Sequence, residues 1–297
     1  MNFGQVLTAM VTPFDATGKI DDKSTLRLVN HLLDNGSDGI VVCGTTGESP
    51  TLTHDEKLHL FKLVKKEVGT RGSVIAGTGG NDTASSIALS QEAAELGVDG
   101  LLLVVPPYNK PSQEGMYQHF CSIAAVLPNT PCILYNVPGR TAQTLSALTT
   151  IRLSHDMENI VATKEASGDL MSAVEIISKA HTGFSVYSGD DGLALPMLSI
   201  GGVGVVSVSA HLVGNDMKRM HTRFFEGEFK EAARLNAKMS PVVRALFQPT
   251  TPSPAPLKAA LNMLGFEVGG LRLPLVEADY HEKEIVRTTL LEYGLLL

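Results

Sequence analysis

No run of basic residues in this sequence is longer than two, as at Lys65 and Lys66, and the net charge is −7, so the chain offers no concentrated cationic surface to a phosphate backbone or an anionic membrane. Nucleic-acid and membrane partners are therefore not expected. Cysteine is scarce. Cys43, Cys121 and Cys132 are odd in number and lack C-x-x-C spacing, which argues against a disulfide framework or a zinc site. Two of them stand in apolar, strand-like runs, where buried thiols of a reducing cytosol belong. No apolar run approaches the roughly 20 residues of a membrane span, and residues 1–5 lack a basic stretch followed by an apolar one, so a soluble cytoplasmic protein is expected. No G-x-G-x-x-G follows the first apolar run, which weighs against a dinucleotide-binding open sheet. Apolar residues (43%) and glycine (28 in 297) are plentiful, and together they point to a sizeable core with many tight turns.

Apolar runs of strand length recur along the chain with helical patterns between them, at 6–14, 39–43, 74–77, 101–105, 132–136, 160–164, 185–188 and 203–208. Their hydrophobicity is continuous rather than alternating, as in parallel strands covered on both faces. Between them, Thr53 and Glu56 fit a capping box ahead of Leu60, Phe61, Val64 and Val68, which share one helical face. Ser112 opens a similar helix after Pro111, and a third starts near Asn81 and closes at Gly97. Strand and helix alternating eight times predict a (β/α)8 TIM barrel, with a doubly wound sheet as the alternative. The barrel is expected over residues 1–226. From 227 to 297 the pattern turns purely helical, around a proline-rich stretch at 248–256, and predicts a C-terminal helical extension packed on the barrel.

In such a barrel the chemistry lies at the C-terminal ends of the strands, and five of those ends are unusual. The sixth run delivers a cation, Lys164, to an inward position, where an unpaired charge is costly. Desolvation is one way to make an amine nucleophilic: a free lysine, with a pKa near 10.4, is neutral at pH 7 only at a cost of about 4.6 kcal/mol. A lysine snorkelling off the strand end would leave the same trace. The second run ends in Gly44-Thr45-Thr46-Gly47-Glu48, a tight turn whose hydroxyls and free N–H groups suit a carboxylate. After the fifth run, the Tyr135 phenol is suited to proton transfer and the Arg140 fork to a carboxylate. Taken singly, each is equally a capped turn, a rim tyrosine or a surface arginine.

The combination is sharper than its parts. The Gly44–Glu48 turn, the stretch from Tyr108 to Gly115, Tyr135-Asn136-Val137-Pro138-Gly139-Arg140-Thr141, Lys164 to Gly168 and Ser188 to Asp191 follow in this order, and with Gly204 to Val208 they resemble the dihydrodipicolinate synthase family over the whole chain. That family lies within the class I pyruvate-dependent lyases and aldolases. The resemblance implies that Lys164 forms a Schiff base with pyruvate, and that Thr45, Tyr135 and Tyr108 make a proton relay, Tyr108 reaching in from a neighbouring subunit. It implies that Thr46 and its turn bind the pyruvate carboxylate, that Arg140 binds the carboxylate of L-aspartate 4-semialdehyde, and that Gly189 and Val206 line the site. It also implies a homotetramer, a dimer of dimers, working without metal or other cofactor. Val206 departs from the family's usual isoleucine by one methylene, which a pocket absorbs.

A sibling aldolase, such as N-acetylneuraminate lyase or a 2-keto-3-deoxy sugar-acid aldolase, would keep the lysine and change the aldehyde pocket. Arg140 favours a short substrate with a carboxylate over a sugar acid. A non-catalytic keto-acid sensor would have no use for Lys164. Three further departures concern regulation. Lysine-inhibited members of the family hold the effector with a histidine, a glutamate and a tyrosine at positions matching Lys57, Ser85 and Pro107, while Ser49, His54 and Asn81 keep family-like groups. The replacements imply insensitivity to lysine.

Overall fold

The computed structural model describes residues 3–296 and is a closed barrel of eight parallel strands in sequence order. The strands are β1 (Val6–Ala9), β2 (Gly39–Val42), β3 (Ser73–Gly77), β4 (Gly100–Val104), β5 (Cys132–Asn136), β6 (Ile160–Glu165), β7 (Ser185–Ser188) and β8 (Gly204–Ser207). β1 pairs with β8 as well as with β2, which closes the cylinder and leaves no edge. The expected runs differ from the strands mainly at the first: residues 10–14 leave the sheet after Ala9, as the Val11 N–H turns to the His211 imidazole, and Phe14 bridges Ile20 and donates its own N–H to the Val268 carbonyl. The sixth strand runs one residue beyond Lys164, to Glu165. Met1, Asn2 and Leu297 lie outside the described residues, and with them part of the 1–5 stretch read above.

Strand alternation divides the apolar residues between two layers. Leu7, Val41, Ile75, Leu102, Ile133, Tyr135, Ala162, Tyr187 and Val206 fill the barrel interior, while Val6, Ile40, Val74, Leu101, Leu134 and Val205 face the helices. Those helices are α1 (Asp22–Asp34), α2 (His54–Val68), α3 (Thr83–Glu95), α4 (Gln113–Ala125), α5 (Pro138–Thr141), α6 (Ala147–Asp156), α7 (Leu170–Lys179), α8 (Ala194–Ser199) and α9 (Ala210–Phe225). Their starts are those the sequence encodes. The capping box of Thr53 and Glu56 is formed, and the Ser112 hydroxyl accepts from the Gly115 N–H. Asp82, next to Asn81, caps the third helix. Then come α10 (Phe229–Leu246), α11 (Ala255–Met263) and α12 (Tyr280–Tyr293), with α10 packed along α9. Among the described residues no helix is long and apolar enough to cross a membrane.

Candidate active site

The register of β5 and β6 sets Tyr135 opposite Lys164, and both project into the barrel. Lys164 is 5% exposed, and its Nζ lies 4.2 Å from the centre of the Tyr135 ring. On the far side of the lysine is Gly189, just past β7. A Cβ there would stand 2.6 Å from the Ala166 Cβ and 3.1 Å from the Lys164 Cγ and Cε, so the glycine is what lets the lysine lie flat against its neighbouring strand. Val206 packs in the same interior cluster as Tyr135 and Tyr187.

Tyr135 forms part of the wall of a cavity of about 560 Å³ that opens at the C-terminal end of the barrel, together with Gly44, Thr45, Arg140, Thr141 and Lys57. Arg140 sits in α5, a single turn that proline starts at its first residue. Its Nη2 gives a long hydrogen bond, 3.4 Å, to the Ser253 carbonyl, and the residue is part of the cavity's wall. Thr46 is buried and is not part of that wall. Tyr108 is 89% exposed, holds a left-handed backbone angle (φ 71°) and stands outside the cavity of its own chain, although Pro107 lines it. One chain thus lines a single cavity with Thr45, Tyr135 and Arg140, sets Lys164 and Gly189 behind Tyr135 and Val206 in the interior cluster with it, and does not bring in Tyr108.

The turn bearing Thr45 is fastened from beneath. Thr12 donates to the Gly47 carbonyl at 2.6 Å, and Glu48, with φ 58°, turns its carboxylate into the core, where Oε1 meets the Lys258 Nζ at 2.7 Å. Both ends of that ion pair are all but fully buried. The other carboxylate oxygen accepts the Arg272 N–H, and the Arg272 guanidinium forks onto Glu56. Lys258 and Arg272 both lie over the Phe14 ring. Burial draws the Lys258 amine down to about 8 despite its partner, and the Arg272 fork holds Glu56 at about 2.

Two buried polar groups beside the reactive pair had no role in the sequence reading, though both stand inside its motifs. Asn136 and Glu165 follow Tyr135 and Lys164 on the outward face, paired in register, and burial pushes the Glu165 carboxyl above the usual carboxylate range. Polar residues one step beyond an inward pair, at a strand end that should face apolar helices, were the available signal. Asp191, from the Ser188-Gly189-Asp190-Asp191 stretch, is buried as well, and it accepts the N–H groups of Val208 and Ser209, tying the ends of β7 and β8. Among the described residues no group of three or more His, Cys, Asp or Glu side chains could hold a metal ion, and the three cysteines are free.

The chain matches the model of the dihydrodipicolinate synthetase family over residues 2–292. It is 55% identical over 296 residues to the 4-hydroxy-tetrahydrodipicolinate synthase of Moorella thermoacetica, covering 100% of both chains. Among solved structures it is similar to a dihydrodipicolinate synthase of Bacillus anthracis, at 50% identity and a TM-score of 0.95, covering 98% of each chain. It is likewise similar to a synthase of Cyanidioschyzon merolae with lysine bound, at 45% identity and a TM-score of 0.97, covering 99% of each.

Proposed function

The chain belongs to the dihydrodipicolinate synthetase family, and from that membership we infer that it is a lyase that condenses pyruvate with L-aspartate 4-semialdehyde to 4-hydroxy-tetrahydrodipicolinate, the first committed step of diaminopimelate and lysine biosynthesis. The observation that carries the site assignment is the buried Lys164 amine lying over the Tyr135 ring at the mouth of the barrel.

In this reading the Lys164 Nζ attacks the ketone carbon of pyruvate, and water leaves to give an imine. Loss of a methyl proton makes the enamine, whose carbon attacks the aldehyde of the second substrate. The aldehyde oxygen takes up a proton through Tyr135 and Thr45, which share one cavity. The substrate amine then adds to the imine carbon, closes the ring and releases the Lys164 amine. The Gly44–Glu48 turn, with Thr46, holds the pyruvate carboxylate through its N–H groups, and Arg140 holds the carboxylate of the semialdehyde. The imine serves as its own electron sink.

Tyr108 completes the relay of a neighbouring copy, which fits its exposure and its distance from its own cavity. That relay needs at least two copies, and the assembly we propose is a homotetramer, a dimer of dimers, acting in the cytoplasm, where three free thiols are at home. Residues 227–297 serve as an extension of the 1–226 barrel, since Lys258 and Arg272 reach back under the Thr45 turn.

Incubation with pyruvate followed by borohydride reduction tests the reading: one pyruvyl mass is expected on the peptide containing Lys164, and none in Lys164→Ala. In the same preparation Arg140→Ala should still form the adduct while losing about 10- to 150-fold in kcat/KM for the semialdehyde, the worth of a charged hydrogen-bond pair. Labelling of another lysine would overturn the assignment.

A further inference from the structure

Lys164 and Tyr135 stand at the point where the barrel's hydrogen-bond ladder runs out. β5 stops at Asn136 and β6 at Glu165, one residue beyond the reactive row in each strand. Strand ends next to loops are free to splay, and a displacement of about 1 Å between reacting groups costs on the order of 10²-fold in rate. Something must hold the two ends together.

We propose that Asn136 and Glu165 are positioning residues that fix the Lys164 amine against the Tyr135 phenol and tether the Arg140 turn to the same frame; this rests on the reading of Lys164 and Tyr135 as the reacting groups. The two side chains leave the outward face of adjacent strands and are 3% and 4% exposed. The Asn136 Nδ2 donates to both carboxylate oxygens of Glu165, at 3.0 and 3.3 Å. The Asn136 Oδ1 accepts the Leu145 N–H at 3.0 Å, which closes the loop that carries Arg140. On the other side, the Glu165 Oε1 accepts the Ser167 N–H at 2.7 Å and shapes the turn into α7. The backbone of the same two residues continues the frame. Ala166 donates to the Asn136 carbonyl, and Gly189, the glycine against the lysine's stem, donates to the Glu165 carbonyl at 2.7 Å.

The loop after β5, the turn after β6 and Gly189 past β7 are thus all bonded to this pair. Glu165 points away from Lys164, so it is no proton partner of the amine and acts only through geometry. Stability alone would not call for it. A carboxylate buried without a cation is a costly way to join two strands, and apolar side chains of equal volume commonly do as well or better. Directional donors and acceptors, by contrast, set angles that packing does not.

The test is an exchange of the two groups. In Asn136→Asp two buried carboxylates face each other. In Glu165→Gln the new amide can satisfy Asn136 or Ser167 but not both. The double variant Asn136→Asp/Glu165→Gln gives each group a partner again with roles reversed: the carboxylate at 136 accepts from Leu145 and from the amide at 165, whose oxygen accepts from Ser167. Chain lengths and net charge are unchanged. Each single variant should lose roughly 10- to 100-fold in kcat, with the KM for pyruvate within about threefold and a matching loss in the single-turnover rate of borohydride-trappable imine. The double variant should return to within about threefold of the parent enzyme.

Rates are read at least 15 °C below each variant's melting temperature, so that instability cannot pass for lost alignment. Single variants that melt earlier but keep the parent kcat would overturn the proposal, and so would a folded double variant no faster than the slower single. Where the singles do not fold, a folded double variant still decides: parent-like kcat supports the pair, and a loss beyond tenfold refutes it. Lys164→Ala runs alongside, and adduct formation on another lysine in that variant would refute the underlying reading while leaving the exchange result interpretable on its own.

Discussion

On one side of the barrel mouth, Tyr135 in the cavity wall and Lys164 beside it are aligned by the ladder between adjacent strands and by Asn136 and Glu165, each the next residue along the chain. On the opposite wall, the turn that carries Thr45 hangs from Lys258 and Arg272, the latter bonded to Glu48 across a sequence separation of 224. The first wall comes with the barrel: once the strands pair, the reactive row is in place. The turn has no ladder of its own, and it passes through left-handed backbone angles at Cys43 (φ 56°) and Glu48 (φ 58°). Such angles disfavour side-chain-bearing residues and persist only where the surroundings over-determine them. The C-terminal helices supply that constraint, so part of the catalytic mouth is set by the last quarter of the chain.

The comparison breaks most visibly at Lys258. In Lys258→Met the Glu48 carboxylate stays in the core with no cation, and removing one partner of a buried pair typically costs about 3 to 5 kcal/mol. A fall in melting temperature of roughly 10 °C is expected at neutral pH. Scanning calorimetry should also find that Lys258→Met/Glu48→Gln recovers much of that loss, because the stranded charge is gone. A single variant within about 1 kcal/mol of the parent would mean that the turn is held by something else.

The outer half of the same clamp is sensitive to acid. Hydrogen bonding from Arg272 holds the folded Glu56 at about 2, below its ordinary value of 4.5. Between those two values the unfolded chain binds more protons than the folded one, so stability rises with pH. The contribution is complete above about pH 4.5 and is lost as pH falls toward 2. It amounts to at most about 3 kcal/mol, less what water screens from a pair that is still a fifth to a quarter exposed. Chemical unfolding at pH 6 and pH 3 should therefore show a smaller acid loss in Glu56→Gln than in the parent. An identical loss in both would place the acid sensitivity elsewhere.

The two walls also differ in how far the sequence betrays them. Lys164, Tyr135, Thr45 and Arg140 fall within a few residues of strand ends, and a barrel puts all such ends on one rim, so a pattern of runs and motifs was enough to collect them. Asn136 and Glu165 lie inside those motifs, but what marks them is that their side chains face each other, which depends on a register that no single strand encodes. Lys258 and Arg272 carry no local signal. A lysine on an otherwise apolar helix and an arginine in a glycine-rich loop look like surface charges until α11 is laid against the barrel. The fold was legible because eight parallel strands repeat one period. The early end of β1 was not, since the groups that take its N–H bonds there, the His211 imidazole for Val11 and the Val268 carbonyl for Phe14, come from distant parts of the chain.

The smallest expected effect concerns the rim between the two walls. Lys57 projects from α2 into the cavity wall beside Gly44, Asn81 and Pro107, and burial lowers its amine's affinity for a proton below that of an ordinary lysine. Ser85 stands in the first turn of α3 with its N–H given to Asp82, and it brings no carboxylate. An effector with an ammonium group would meet a half-buried cation where it needs an anion, and no phenol at Pro107 to cover it. The loss of two charge-assisted contacts, each worth about 1.5 to 3 kcal/mol, weakens such a complex a hundredfold or more. Lysine at about 1 mM should therefore leave the initial rate unchanged at saturating substrates. Half-maximal inhibition below that concentration, which corresponds to a binding free energy of about −4 kcal/mol, would show that Ser49, His54 and Asn81 suffice to hold the effector without those partners. Lys57→His with Ser85→Glu should move the enzyme toward inhibition if the missing charges are the cause, and a double variant as indifferent to lysine as the parent would place the cause elsewhere on the rim.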